Sequence, residues 1–122
     1  MRLLLLSGFL VIAGCSDEDQ EKQCVESSKA LEEVSSLANI VNNDKIAGRP
    51  TCTVYSGAQI FACQYEGQTT YYFTNPASSV AVCGFIAYDC HGEELINRGS
   101  NDEAWTQFEE DRTDAEELWA KP

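Results

Sequence analysis

Apolar residues crowd the start of the chain, from Leu3 to Leu6 and again from Phe9 to Ile12, with only Ser7 and Gly8 between the two runs. Arg2 ahead of them gives a positive start and Ala13-Gly14 a small-residue end, so residues 1–14 read as a removable export signal. About a dozen apolar residues fall short of the roughly 20 that a membrane-spanning helix needs. Residues 15–23 then lose all apolar periodicity and read as a charged tether. The remaining residues, 24–122, suit one small domain with one core.

Within that domain the pattern first becomes helical. Cys24, Leu31, Val34, Ala38 and Val41 recur at spacings of three, four and seven, with Leu37 and Ile40 widening the stripe. Asn42-Asn43-Asp44 offers a helix stop and Gly48-Arg49-Pro50 a turn. The middle of the chain is rich in aromatic and β-branched residues and predicts strands over 52–55, 60–65, 68–74 and 80–88, with a last extended piece at 94–96. Glu66-Gly67 predicts a two-residue hairpin that sets Tyr65 opposite Gln68, Cys63 opposite Thr70 and Phe61 opposite Tyr72. One face of that hairpin gathers Ile60, Ala62, Tyr71 and Phe73 and is the expected core face. Asp89-Cys90-His91-Gly92 predicts a turn held by the Asp89 carboxylate.

Ser100 followed by Glu103 reads as a capping box. It opens an expected helix whose stripe is Trp105, Phe108, Ala115, Leu118 and Trp119, with Arg112 paired to Glu109 or Glu116. These elements predict an α+β fold: an N-terminal helix, an antiparallel sheet of three to five strands, and a C-terminal amphipathic helix, with the helices packed on one sheet face.

Charge narrows the choice of partners. The formal charge is −12, and it becomes −13 once Arg2 leaves with the signal. Such a surface repels nucleic acid and anionic lipid and attracts cationic proteins. Cysteine use fits an oxidising compartment, since five cysteines, Cys24, Cys52, Cys63, Cys83 and Cys90, follow Cys15. An odd number leaves one out. Some of Cys52, Cys63, Cys83 and Cys90 are expected to staple strands and turns together, with Cys24 pinning the helix to the sheet, and the connectivity stays open. The absence of any CxxC pair argues against a zinc knuckle or a thioredoxin-type redox pair.

Ile12-Ala13-Gly14-Cys15 resembles a bacterial lipoprotein box. The resemblance implies that Cys15 is lipidated, that the signal is cut before it and that the new N-terminus is acylated, anchoring the protein to the outer membrane of a cell envelope. A single acyl chain holds a protein marginally and two hold it stably, because each buried methylene contributes about 0.8 kcal/mol. Ser16-Asp17-Glu18-Asp19 is similar to the acidic tag by which some Gram-negative lineages send lipoproteins to the cell surface, a solvated linker being the plainer reading. A second likeness covers most of residues 24–119. The segment from Gln64 to Pro76, the Tyr88-Asp89-Cys90-His91-Gly92 turn and the ending from Phe108 through Arg112 to Trp119 resemble a family of small bacterial lipoproteins known only as a domain of unknown function. That family shares a Y-x-G-x-x-x-Y-Y-F hairpin, a Y-D-x-x-G turn and a terminal helix with an aromatic residue, an arginine and a late tryptophan. This chain has Ala77-Ser78-Ser79 and Asn97 where members carry cysteines, which implies different bridges. The family has no assigned activity, so the likeness bears on fold and address alone.

Candidate chemistry is sparse. His91, the sole histidine, adjoins Cys90 and could serve it as a base, against the plainer reading of a solvent-facing turn residue. Carboxylates crowd residues 102–117 but lack the loop spacing that calcium requires, so no metal and no cofactor is expected. Tyr65 and Tyr72, on the hairpin face away from the expected core, are the candidate binding surface. The function expected is a non-enzymatic binding or structural module held to the membrane through Cys15. Its alternatives are an acidic inhibitor of a cationic envelope-attacking enzyme of the lysozyme or protease type, and a Cys–His enzyme.

Overall fold

The computed structural model describes residues 24–122, so the expected export signal, the lipid-bearing Cys15 and the acidic tether lie outside the described residues. Two short helices come first, α1 (Ala30–Glu33) and α2 (Ser35–Asn43), preceded by a 3-10 turn at Ser27–Lys29. Five strands follow in a single antiparallel sheet: β1 (Gln59–Tyr65), β2 (Gln68–Thr74), β3 (Phe85–Asp89), β4 (Glu94–Asn97) and β5 (Thr113–Ala120). Helix α3 (Asp102–Asp111) lies between the last two strands. The order across the sheet is β4-β3-β2-β1-β5, so β5 returns to the edge that β1 would otherwise leave open. Among the described residues no helix is long and apolar enough to cross a membrane.

The central hairpin has the register its turn predicts. Glu66 and Gly67 both take positive φ, 52° and 76°, the geometry that joins two twisted strands through two residues. Tyr65 sits opposite Gln68, Cys63 opposite Thr70 and Phe61 opposite Tyr72. Ile60, Ala62, Tyr71 and Phe73 are buried on one face, under Ala30, Val34, Leu37 and Ile40 of the N-terminal helices. Asp44 closes α2 in the left-handed conformation, at φ 55°.

Several expectations need correction. The helices do not share one face: α3 covers the opposite side of the sheet, where Trp105 and Phe108 pack with Cys63, Tyr72 and Ala87. Phe61, Tyr72 and Phe85 project aromatic rings from that side, and leaving it bare would expose an apolar patch of a kind that soluble surfaces avoid. The C-terminal helix stops at Asp111, Arg112 turns extended (φ −72°, ψ 149°), and Thr113–Ala120 is the edge strand β5. Continuing the helix would set Glu110 one turn from Asp114 and add Glu116 and Glu117 to a negative C-terminal dipole, whereas the edge of β1 supplies backbone partners. Its cap is Asn101, whose Oδ1 accepts from Ala104 N at 3.0 Å, not Ser100.

The remaining corrections concern shorter pieces. The N-terminal coil begins with the 3-10 turn at Ser27, not at Cys24, becomes α-helical only at Ala30, and breaks at Val34, where ψ of 108° is extended. The expected strand over 80–88 begins only at Phe85, because Ala81–Cys83 coils into a 3-10 turn, and no strand forms at 52–55.

Buried amides hold that irregular stretch. Asn75 has no exposed surface, its Nδ2 donates to Thr53 O (2.8 Å) and Cys83 O (3.0 Å), and its Oδ1 accepts from Tyr55 N (3.1 Å). Asn97 does the same on a smaller scale, with Nδ2 donating to Val82 O at 2.8 Å and Oδ1 accepting from Gly99 N at 2.8 Å. Backbone groups that no strand can pair are thereby satisfied by side chains.

Candidate functional site

The two candidate tyrosines of the hairpin have different fates. Tyr72 is only 5% exposed, so it is a core residue of the α3 layer and not a binding surface. Its ring stacks on Phe61 at 4.8 Å and meets Phe108 edge-on at 5.6 Å. Arg112, at the end of α3, lays its guanidinium over Tyr72 at 4.5 Å and reaches Phe108 at 5.7 Å. That stacking replaces the expected pairing, since Arg112 forms no salt bridge with Glu109, Glu116 or any other carboxylate among the described residues. Burial pushes the Tyr72 hydroxyl pKa up while the Arg112 charge pulls against it.

Tyr65 is half-buried against Phe108, ring to ring at 5.0 Å in an edge-on contact. Its outer side borders a groove of about 330 Å³, shared with Glu66, Gln68, Asp89, Leu95 and Ile96. Leu95 stands 49% exposed there. Glu66 and Asp89 are the charged residues of the lining, and Asp89 is oriented because its Oδ1 accepts from His91 N (2.9 Å) and Glu93 N (3.0 Å). The groove is at the small end of ligand sites, the size of one long side chain, with an apolar floor and a negative rim. Desolvation first, and then the charges of Glu66 and Asp111, raise the Tyr65 pKa, keeping a neutral hydroxyl at its edge.

A second cavity, of about 310 Å³, lies between Val80, Phe85, Arg98 and Asp102. Its cation is already engaged, as Arg98 stacks over Phe85 at 4.9 Å and pairs with Asp102 at 3.1 Å.

Among the described residues the cysteines form two bridges, Cys24–Cys90 and Cys52–Cys83, with Cys63 free and buried. Cys24 thus ties the segment ahead of the helices to the β3–β4 turn, and Cys52–Cys83 staples the strandless stretch to the 3-10 turn. Burial pushes the Cys63 thiol up to about 11, with Arg112 opposing, so it stays protonated and inert at neutral pH. Cys90 is bonded to Cys24, which leaves His91 no free thiol to activate. Among the described residues, one group has metal-ligating atoms close together: those of Cys24, Cys90 and His91 lie within 4.8 Å of one another.

The groove is not legible in the sequence, because an extended piece over 94–96 does not say which way Leu95 faces. The available signal is an apolar pair, Leu95-Ile96, directly after two glutamates on a short strand, where Leu95 stays 49% exposed. The clamping roles of Asn75 and Asn97 are not legible in the sequence: Pro76 marks the end of the strand because it has no N–H to donate, but nothing local shows that the Asn75 side chain is buried against Thr53, Tyr55 and Cys83. Comparison with family models, with curated proteins and with solved structures finds no match for this chain.

Proposed function

We propose that the protein is a lipid-anchored lipoprotein of a bacterial cell envelope, on the outer membrane, that works as a non-enzymatic binding or structural module. One observation carries the reading: an apolar run of signal-peptide length ends in Ile12-Ala13-Gly14-Cys15, which resembles the lipoprotein box at which the cysteine is lipidated. The two disulfides support an exported, oxidised domain. The likeness to small lipoproteins of unassigned activity points the same way. Expression of Cys15→Ser beside the natural sequence, followed by membrane fractionation and fatty-acid labelling, tests it. The variant is expected to leave the membrane fraction and lose its label, and unchanged partition overturns the reading.

The groove beside Tyr65 favours a second reading, an inhibitor or decoy for a cationic envelope-attacking enzyme. Its floor of Tyr65, Leu95 and Ile96 suits the stem of a lysine or arginine, and Glu66 and Asp89 suit the head. Capture of a lysozyme-type protein that weakens as salt rises supports this reading, and no salt-sensitive capture rejects it.

A further inference from the structure

We propose that Cys24, Cys90 and His91 form a redox-gated site for a soft divalent cation, zinc in the first instance, which opens when a dithiol reduces the Cys24–Cys90 bridge. The donor atoms already lie within 4.8 Å of one another. A tetrahedral zinc ion, with sulfur at about 2.3 Å and nitrogen at about 2.0–2.1 Å, sets its donors about 3.4–3.8 Å apart. Breaking the bridge moves its two sulfurs from bonding distance out towards that spacing, and the two Cα atoms, 5.3 Å apart, need not move to allow it.

The turn that carries two of the donors is fixed independently of the bridge. Asp89 Oδ1 accepts from His91 N and Glu93 N, Asp89 N donates to Glu93 O at 2.8 Å, and Gly92 N donates to Asp89 O at 3.0 Å. Gly92, at φ 90°, sits so close to α2 that a Cβ there would meet Val34 Cγ1 at 2.7 Å, and Ser36 Oγ donates to its carbonyl. The turn therefore keeps its shape, and Cys90 and His91 keep their places, after reduction.

Access separates this bridge from the other one. Cys24 is exposed, whereas Cys52 and Cys83 are 8% and 2% exposed. The reductant is a dithiol. One of its thiolates attacks Cys24 Sγ, the Cys24–Cys90 bond breaks, and Cys90 leaves as a thiolate while a mixed disulfide forms on Cys24. The second thiol of the reductant then closes its own disulfide and releases Cys24. Two electrons and two protons pass to the protein in all. Zinc displaces both thiol protons, the His91 imidazole supplies the third donor, and the fourth position is open to water, as in zinc sites with three protein ligands. The surplus of negative charge on the chain favours the cation.

The test uses the full domain, reduced with a dithiol, freed of reductant and titrated with cobalt(II). Peptide mass mapping establishes that Cys52–Cys83 is still closed. One cobalt per chain is expected, with a thiolate-to-cobalt charge-transfer band, tetrahedral visible bands and displacement by zinc. His91→Ala keeps both cysteines and is expected to weaken cobalt binding about tenfold or more. Cys24→Ser with Cys90→Ser is expected to abolish the charge-transfer band, and Cys63→Ala to retain it. The proposal is overturned by an absent band, by an equal band in the oxidised protein, by unchanged affinity in His91→Ala, or by loss of near-ultraviolet circular dichroism on selective reduction.

Discussion

Cys63 shows how one buried atom can couple stability to pH. The thiol is 2% exposed beneath α3, and burial pushes its pKa from 9.0 up to about 11, against the pull of Arg112. Between those two values the unfolded chain releases this proton while the native protein keeps it, so the native state binds more protons and stability falls as pH rises. The contribution is intact below pH 9 and is lost progressively towards pH 11, by about 3 kcal/mol in all. Cys63→Ala is expected to start less stable by about 1 kcal/mol, because it leaves a small void, and to lose less stability across that window. Urea unfolding at stepped pH measures both. Parallel losses for the two proteins would show that the buried thiol does not set the alkaline limb. The same burial predicts that Cys63 resists thiol reagents at neutral pH until the domain unfolds.

At the scale of elements, α3 and β5 show what local pattern can and cannot reveal. The hairpin was legible because Glu66-Gly67 fixes its register and period-2 burial separates Ile60, Ala62, Tyr71 and Phe73 from Phe61, Cys63 and Tyr72. Trp105 and Phe108 were legible as helical core, three residues apart. The rest of the expected stripe failed because Ala115 and Leu118 favour a helix while Trp119 also suits a strand, and the outcome depends on an open β1 edge, a long-range fact. The side each helix takes was hidden for the same reason, since both hairpin faces are apolar and sequence order does not assign layers. Of the site, the Tyr65 half was legible and the Leu95 half was not, because the register shift between β3 and β4 sets where Leu95 points. If α3 is the lid of a second core, Phe108→Ala removes the ring that Tyr65, Tyr72, Trp105 and Arg112 all contact. The expected cost is about 3–5 kcal/mol, read by denaturant unfolding, with increased solvent quenching of Trp105 fluorescence. A loss below about 1 kcal/mol would mean that the α3 layer is not a packed core.

The two bridges divide the whole molecule between them. Cys24–Cys90 closes a span of 66 residues and Cys52–Cys83 one of 31, and loop-closure entropy assigns each about 4 kcal/mol, the longer slightly more. Their structural settings differ more than their loop lengths. Cys52–Cys83 joins the strandless stretch to the 3-10 turn that Asn75 also clamps, so its removal falls on a region already served by three amide hydrogen bonds. Cys24–Cys90 connects the segment before α1 to a turn that is internally hydrogen-bonded, and without it the N-terminal end is held by the packing of Ala30, Val34, Leu37 and Ile40 and by the Ser36 hydrogen bond to Gly92 O. Replacing either pair by alanine is therefore expected to lower Tm by roughly 15–30 °C for a domain of this size. The local consequences are expected to differ. Amide exchange in the Cys24→Ala, Cys90→Ala variant should rise in residues 27–34 first, while the Cys52→Ala, Cys83→Ala variant should keep protection in the sheet and lose it over residues 46–58. Uniform loss of protection in both variants would show instead that the domain opens as a single unit, with the bridges acting on the unfolded chain alone.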